Sequence, residues 1–255
     1  MLSSSDDEDP LRRIEDDSES FEGTSDSHVD PVTLDGSRYR YTSQLSPDLH
    51  IDLEHRPERG LSFQIWPSSL SLARYAEIED RHESHCWQGK RVLELGCGCG
   101  LVGLCFAALG ADVLLTDLPD PLDIVRDNIA LNSDTIASAG GNAAAQAFVW
   151  GKTDVSELTP EWRTPDIIVA ADVVYRRELF QPLLHALKSL GGSHGTRILL
   201  SHVRRWKSDK FFFQQARKHW AVTDISECLD PTASQFAPHS RGALRLFEFK
   251  QRRLQ

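Results

Sequence analysis

The sequence predicts an α/β fold: a mostly parallel seven-stranded sheet with helices on both faces, an antiparallel C-terminal hairpin at one edge, and an N-terminal β-hairpin in front. Three observations predict it. From Arg91 onward, apolar runs of strand length alternate with helical patterns, the spacing of right-handed βαβ crossovers. The last two strand-like runs are separated by a polar loop instead of a helix, so they must pair antiparallel. A glycine-rich turn, Gly96-Cys97-Gly98-Cys99-Gly100, joins the first central strand to a helix, where open α/β sheets bind their ligands.

The elements follow in order. Residues 1–30 are Ser, Asp and Glu with few large apolar groups, and are read as a disordered acidic leader. From Arg38 the pattern alternates, with Tyr39 and Tyr41, then Leu49, Ile51 and Leu53 after Pro47-Asp48, which marks a hairpin. Leu61 to Trp66 reads as a short strand stopped by Pro67, and Ser68 and Ser69 offer N-caps for a helix carrying Leu70, Leu72, Ala73 and Ala76. Strands are expected at Arg91 to Leu95, Ala111 to Thr116, Ala145 to Val149, Asp166 to Ala171 and Arg197 to Ser201. Between them lie helices from Leu101 to Leu109, closed by Gly110, and from Pro121 to Asn132. A further helix has its apolar stripe at Leu179, Leu183, Leu187 and Leu190. Ser208 to Trp220 gives the last helix, and Ala221 to Glu227 and Ala243 to Lys250 the closing strands.

Composition narrows the class. The 255 residues are 40% hydrophobic and 26% charged, an ordinary globular balance. Apolar runs are far shorter than the ~20 residues of a membrane helix. The net charge is −10, but residues 1–30 hold eleven acids against Arg12 and Arg13, so the rest is near neutral. Such a body presents no field for nucleic acid. Five cysteines, odd in number and without C-x-x-C pairs, read as reduced thiols, which places the chain in the cytosol or nucleus. No His, Cys, Asp or Glu cluster has metal-ligand spacing.

Two ligands compete for the glycine turn. Gly98-x-Gly100-x-x-Gly103 is formally the dinucleotide fingerprint, and the helix N-terminus after it offers N–H groups to an anion. Three features favour S-adenosylmethionine. Glu94 puts a carboxylate at the strand end, suited to a cationic amino group and repellent to a diphosphate. Asp117 ends the second strand, 14 residues after Gly103 rather than the ~20 of the dinucleotide acid, and can bond both ribose hydroxyls. The antiparallel terminal hairpin is foreign to the dinucleotide fold.

The segments E-L-G-C-G-C-G, T-D-L-P and A-D-V-V-Y, in this order, resemble class I (Rossmann-like) methyltransferases. Trp66-Pro67, Trp150-Gly151, Asp172-Val-Val-Tyr175, Leu179-Phe180 and Phe211-Phe212 narrow the likeness to the protein-lysine methyltransferases that act on chaperones and on valosin-containing protein. The resemblance covers residues 38–250 and implies a methyltransferase domain over 31–255, with 38–66 forming the hairpin and a cofactor-covering segment. It implies S-adenosylmethionine as cofactor, with Trp66, Glu94, Gly96, Cys97, Gly98, Gly100, Asp117, Trp150 and Ala171 around it. Asp172 and Tyr175 then face the substrate lysine as the catalytic pair. Cys99 stands where many relatives carry Thr, and the polar loop from Asp230 to Arg241 has no counterpart that aligns.

Methyl transfer from a sulfonium is an in-line displacement, so positioning is most of the catalysis. The nucleophile must be a neutral amine, and a free lysine has pKa ≈ 10.4. A carboxylate beside it raises that value, so Asp172 is assigned to capture and orientation rather than to simple base catalysis. Tyr175 bounds the lysine channel. Plainer roles stand beside these: core packing for Trp66, Trp150 and Tyr175, and helix capping for Asp172. The basic run Arg204-Arg205-Trp206-Lys207 reads as a solvated turn or a contact for an acidic peptide flank. The expected partner is a protein substrate, a chaperone or ATPase, with no nucleic acid, no membrane and a monomeric enzyme. Methylation of another side chain or a small molecule, and a non-catalytic cofactor-binding module, are the alternatives.

Overall fold

The computed structural model describes residues 32–252 apart from 36, 47, 192–194 and 230–243. The acidic leader and the loop from Asp230 to Arg241 fall outside these residues. Three short strands, β1 (Val32–Asp35), β2 (Arg38–Thr42) and β3 (His50–Glu54), make an antiparallel sheet in that order. The expected hairpin is β2–β3, in register Tyr41 to Ile51 and Tyr39 to Leu53. Strand β1 was not expected.

The main sheet contains β4 (Arg91–Leu95), β5 (Asp112–Asp117), β6 (Asn142–Ala147), β7 (Ile167–Ala171), β8 (Arg197–Val203), β9 (Trp220–Asp224) and β10 (Leu244–Gln251). Their order is β6-β5-β4-β7-β8-β10-β9. Strands β4 to β8 run parallel, and β10 inserts antiparallel between β8 and β9. The expected terminal hairpin is thus present, with its second strand on the inner side. Chain order reverses between β4 and β7, so a crevice opens at their carboxyl ends.

Alternation along the strands feeds two cores. Val92, Val113, Leu115, Val169, Leu199 and Leu246 face one side, with α1 (Pro67–His82), α2 (Leu101–Ala108) and the small sheet. Leu93, Leu95, Leu114, Ile168, Leu200 and Phe247 face the other, with α5 (Phe180–Gly191) and α6 (Asp209–Ala216). Helices α3 (Leu122–Leu131) and α4 (Ser133–Ser138) lie between β5 and β6.

Polar contacts fasten the small sheet to the body. The Tyr41 hydroxyl and Ser43 Oγ both donate to the buried Glu77 carboxylate of α1, at 2.5 and 2.6 Å. From α3, Asn128 accepts from the Glu54 N–H (2.7 Å) and donates to the Glu54 carbonyl (3.0 Å). Asn132, just past α3, does the same to Asp52, at 2.9 and 2.7 Å. Two side-chain amides thus take the place of a neighbouring strand along the outer edge of β3.

Several expectations are corrected. Leu61 to Trp66 is no strand: Leu61–Phe63 form a single 3-10 turn, with Phe63 N–H bonded to Gly60 O. This segment crosses the crevice and meets no strand edge. Neither Ser68 nor Ser69 caps α1; Trp66 holds the N-cap position, Pro67 starts the helix, and Ser69 Oγ donates back to Trp66 O. Strand β6 begins three residues before the expected one, because Asn142 to Ala147 meet the β5 ladder while Phe148 to Trp150 run on past it. Helix α6 ends at Ala216, and Trp220 already belongs to β9.

Candidate functional site

A cavity of about 300 Å³ lies at the carboxyl ends of β4, β5, β6 and β7, with the Leu61 to Trp66 segment and the β8–α6 turn closing its sides. All the expected site residues except Gly100 line it. A second cleft at the amino ends of β4 and β7 holds Asp166, whose carboxylate already accepts from the Arg91 N–H at 2.9 Å.

The turn after β4 is folded to bring backbone close to a ligand. Gly96 and Gly98 have φ of +70° and +55°, which L side chains rarely adopt. A Cβ on Gly96 would stand 2.9 Å from Val173 Cγ1 and 3.1 Å from the Trp150 ring; one on Gly98 would stand 3.2 Å from the Ser62 carbonyl oxygen. Gly100 has a different task, since its Cβ would press on Leu115 Cδ2 at 2.9 Å, inside the core.

Glu94 is 1% exposed, and its Oε2 accepts from the Gly103 N–H of α2 at 2.8 Å. One of the N–H groups in the first turn of this helix is thus met by the protein's own carboxylate, which sets a negative group where a phosphate would otherwise be favoured. Burial pushes the Glu94 carboxyl up to about 8, against the opposing Gly103 bond. Asp117 accepts from Gly98 N–H (2.8 Å) and Leu118 N–H (2.7 Å), and burial still holds its carboxyl above the ordinary range. The cavity therefore contains two carboxylates whose ionised forms lack compensating positive charge.

Opposite them the wall is apolar. Phe148, Val149 and Trp150 follow β6, and Ala171 ends β7. Trp66 closes one side, its indole N–H donating to Leu61 O at 3.0 Å. Cys97 and Cys99 are buried, and burial raises both thiols, Cys99 to about 12, so neither is a thiolate nucleophile.

At the mouth, Asp172 adopts φ +58°, its N–H bonded to Ser201 O at 3.0 Å. Its carboxylate receives both arms of the Arg205 guanidinium, Nη1 to Oδ1 at 2.7 Å and Nη2 to Oδ2 at 2.9 Å. Arg205 also lies 5.4 Å over the Trp66 ring. Within the basic run, Arg205 is thus turned inward rather than solvated. Tyr175 is 36% exposed at the rim, and Leu61, Leu118 and Trp206 expose apolar surface beside it. Partial burial raises the Tyr175 phenol.

Sequence reasoning missed the Asp172–Arg205 pair and the Phe148-Val149 wall, and within the covering segment up to residue 66 it singled out Trp66 but not Leu61, Ser62 and Gln64. Phe148 and Val149 were legible as apolar neighbours of Trp150; the pair, 33 residues apart, had no local signal. Among the described residues no group of three His, Cys, Asp or Glu could hold a metal ion.

The donor set fits S-adenosylmethionine: backbone open to close approach, an acid for a ribose diol, an acid for an ammonium, and an apolar wall for a base. A family model described as lysine methyltransferase matches residues 45–219. EEF1A lysine methyltransferase 3 of Mus musculus is 35% identical over 168 residues, 66% of this chain and 67% of that one. Protein N-lysine methyltransferase METTL21A of Xenopus tropicalis is 32% identical over 65% of this chain and 72% of its own. Protein-lysine N-methyltransferase EFM6 of Saccharomyces cerevisiae is 29% identical over 73% and 81%. Among solved structures, the T. thermophilus 16S rRNA N2 G1207 methyltransferase bound to AdoMet and guanosine matches with a TM-score of 0.55. At 18% identity, over 84% of this chain and 50% of that one, this shows the fold alone.

Proposed function

The chain belongs to the lysine methyltransferase family, and from that premise we propose how its cavity carries out S-adenosylmethionine-dependent methylation of a protein lysine. Bound there, the cofactor supplies a methyl carbon whose bond to sulfur breaks as the lysine nitrogen bonds to it, the sulfur keeping the electron pair. In this reading Asp117 accepts the ribose hydroxyls, and Glu94 with the Gly96 to Gly98 backbone holds the methionine part. Phe148, Trp150 and Ala171 flank the adenine, and Trp66 covers it. Tyr175 bounds the channel by which the substrate side chain enters, and Asp172 stands at its inner end to orient the nitrogen. The amine arrives as ammonium and must release its proton to water before transfer, so much of the rate depends on its local pKa.

The observation that supports this reading best is the pair of buried acids, Glu94 and Asp117, beside a glycine turn no side chain could share, opening toward Asp172 and Tyr175.

The substrate proposed first is EEF1A, which the mouse relative is named for. Chaperones and ATPases, expected from the motifs, are the comparison set. The catalytic unit is residues 31–255, acting as a monomer in the cytoplasm with a nuclear share; no described helix is long and apolar enough to cross a membrane.

The test incubates the full chain and labelled S-adenosylmethionine with a reduced cytosolic extract, and separately with purified EEF1A, alongside Asp172→Ala. A labelled protein band mapping to lysine, lost in the variant, is expected. Label confined to small molecules, or cofactor binding without transfer, would overturn the reading.

A further inference from the structure

We propose that Arg205 is a positioning residue that sets the charge of the lysine channel: by pairing with Asp172 it offsets the carboxylate's field, so that the substrate amine sheds its proton nearer neutral pH. The inference rests on the assignment of Asp172 to the amine side of the cavity.

The geometry is that of a built pair. The Asp172 side chain is 4% exposed and its backbone is fixed in the left-handed region. Both its oxygens face the guanidinium fork, and Val203 N–H lies a further 3.4 Å from Oδ1. Arg205 is held at three points. Its own N–H donates to Asp209 Oδ2 at 3.0 Å, its guanidinium grips Asp172, and the same group covers Trp66. Both members of the pair line the cavity, so an arriving amine meets them together. Oδ1 takes both Arg205 Nη1 and the Val203 N–H, whereas Oδ2 takes Arg205 Nη2 alone and keeps a second lone pair, so Asp172 can still orient a nitrogen through Oδ2 while paired.

The consequence follows from the sign of the charges. A lone buried carboxylate within about 4–6 Å favours the ammonium and raises its pKa by roughly 1–3 units. A guanidinium on the same carboxylate removes most of that field, and it stays charged throughout the working range because its pKa exceeds ~12. The other charged groups act from farther out or are already paired. Glu94 and Asp117 face the cofactor side from β4 and β5. From the chain after β7, Tyr175 faces the channel, and Arg176 pairs with Glu178 at 3.5 Å. Behind Arg205, Asp209 takes two backbone N–H bonds and lies 3.3 Å from His202 Nε2 on β8.

The experiment follows single-turnover methyl incorporation into the protein labelled in the extract, from pH 7 to 10.5, with S-adenosylhomocysteine affinity measured alongside. Arg205→Met keeps an unbranched side chain of comparable bulk and removes the charge, and with it the guanidinium over Trp66. Its rate–pH midpoint should move up by about one unit, so that the rate falls roughly tenfold near pH 7.5 and recovers by pH 10. Arg205→Lys should restore a near wild-type midpoint. Asp172→Asn leaves Arg205 uncompensated and should move the midpoint down, on a lower plateau. Loss of packing alone would scale every point equally. A profile for Arg205→Met parallel to wild type, or a Asp172→Asn midpoint that does not fall, overturns the inference. Should Arg205→Met lose its S-adenosylhomocysteine affinity, the Asp172→Asn midpoint decides. If Asp172→Asn leaves the rate unchanged at every pH, the assignment of Asp172 itself fails.

Discussion

Replacing Glu94 by glutamine removes a charge from the core while keeping the shape and an acceptor for the Gly103 N–H. In the folded chain this carboxyl is pushed from about 4.5 up to about 8 by burial, with the Asp117 charge adding to the shift. The unfolded chain gives up this proton near the ordinary value. Below it both states are protonated and the group is neutral to stability. Between the two values the unfolded state binds fewer protons, so stability falls as pH rises, by up to ~1.4 kcal/mol per unit. Integrated from pH 5 to pH 7 this is about 2–3 kcal/mol, or roughly 5–10 °C of melting temperature for a chain of this size. Glu94→Gln lacks the titration. Its melting temperature should therefore rise relative to wild type as pH increases, and the gap should level off above pH 8. Thermal melts at constant ionic strength, without cofactor, measure it directly. Saturating S-adenosylhomocysteine, which carries an ammonium, should narrow the gap. A difference constant to within about 1 °C across the range would show that Glu94 ionises freely and refute the argument.

Other substitutions test the packing of the same turn. Gly103→Ala would place a Cβ 2.7 Å from Glu94 Oε2 and 2.9 Å from Leu115. It should cost about 1–3 kcal/mol in a denaturant titration, and an unchanged midpoint would contradict it. Gly96→Ala adds left-handed strain to contacts with Val173 and Trp150, so calorimetry should find S-adenosylhomocysteine bound at least ~10-fold more weakly, with secondary structure intact. Asn128→Ala removes three bonds to Glu54 and Cys99 backbone. Hydrogen exchange at Glu54 should accelerate, with a loss of about 2–3 kcal/mol in stability; protection at the wild-type level would remove the asparagine from this role.

What was legible in the sequence is what local pattern controls. Ile167 to Ala170 are buried on both faces and read as a continuous apolar run, and Val92, Leu93 and Leu95 do so around the single acid Glu94, so both strands fall where expected. Strand β6 was misplaced because its ladder is built largely of alanine, while the residues of highest strand propensity, Phe148 and Val149, serve the cavity wall. Leu61 to Trp66 failed for the same reason: its apolar residues Leu61, Ile65 and Trp66 line the cavity instead of a ladder. Helix α4 is six polar-rich residues, too short to show a period. In the cavity lining, Glu94, Asp117, Gly96 and Gly98 were legible because a strand end and a turn fix them locally. The sequence offers Arg205 a solvated turn or an acidic peptide flank but not Asp172, because that partner is set by the position of β7 beside β8, a property of the sheet and not of either segment.

The two asparagines along β3 have a consequence for the molecule's tolerance to change. An open strand edge is a template for another chain, and natural sheets commonly guard it with charges or short length. Here the guard is a pair of amides that copy the donor and acceptor of a missing neighbour, and one of them also holds the Cys99 carbonyl of the glycine turn. A single replacement at Asn128 would expose a recruiting edge and loosen that turn together. Solubility and turnover are thereby made to depend on the same side chain, and variants at this position should be lost to aggregation as readily as to inactivity.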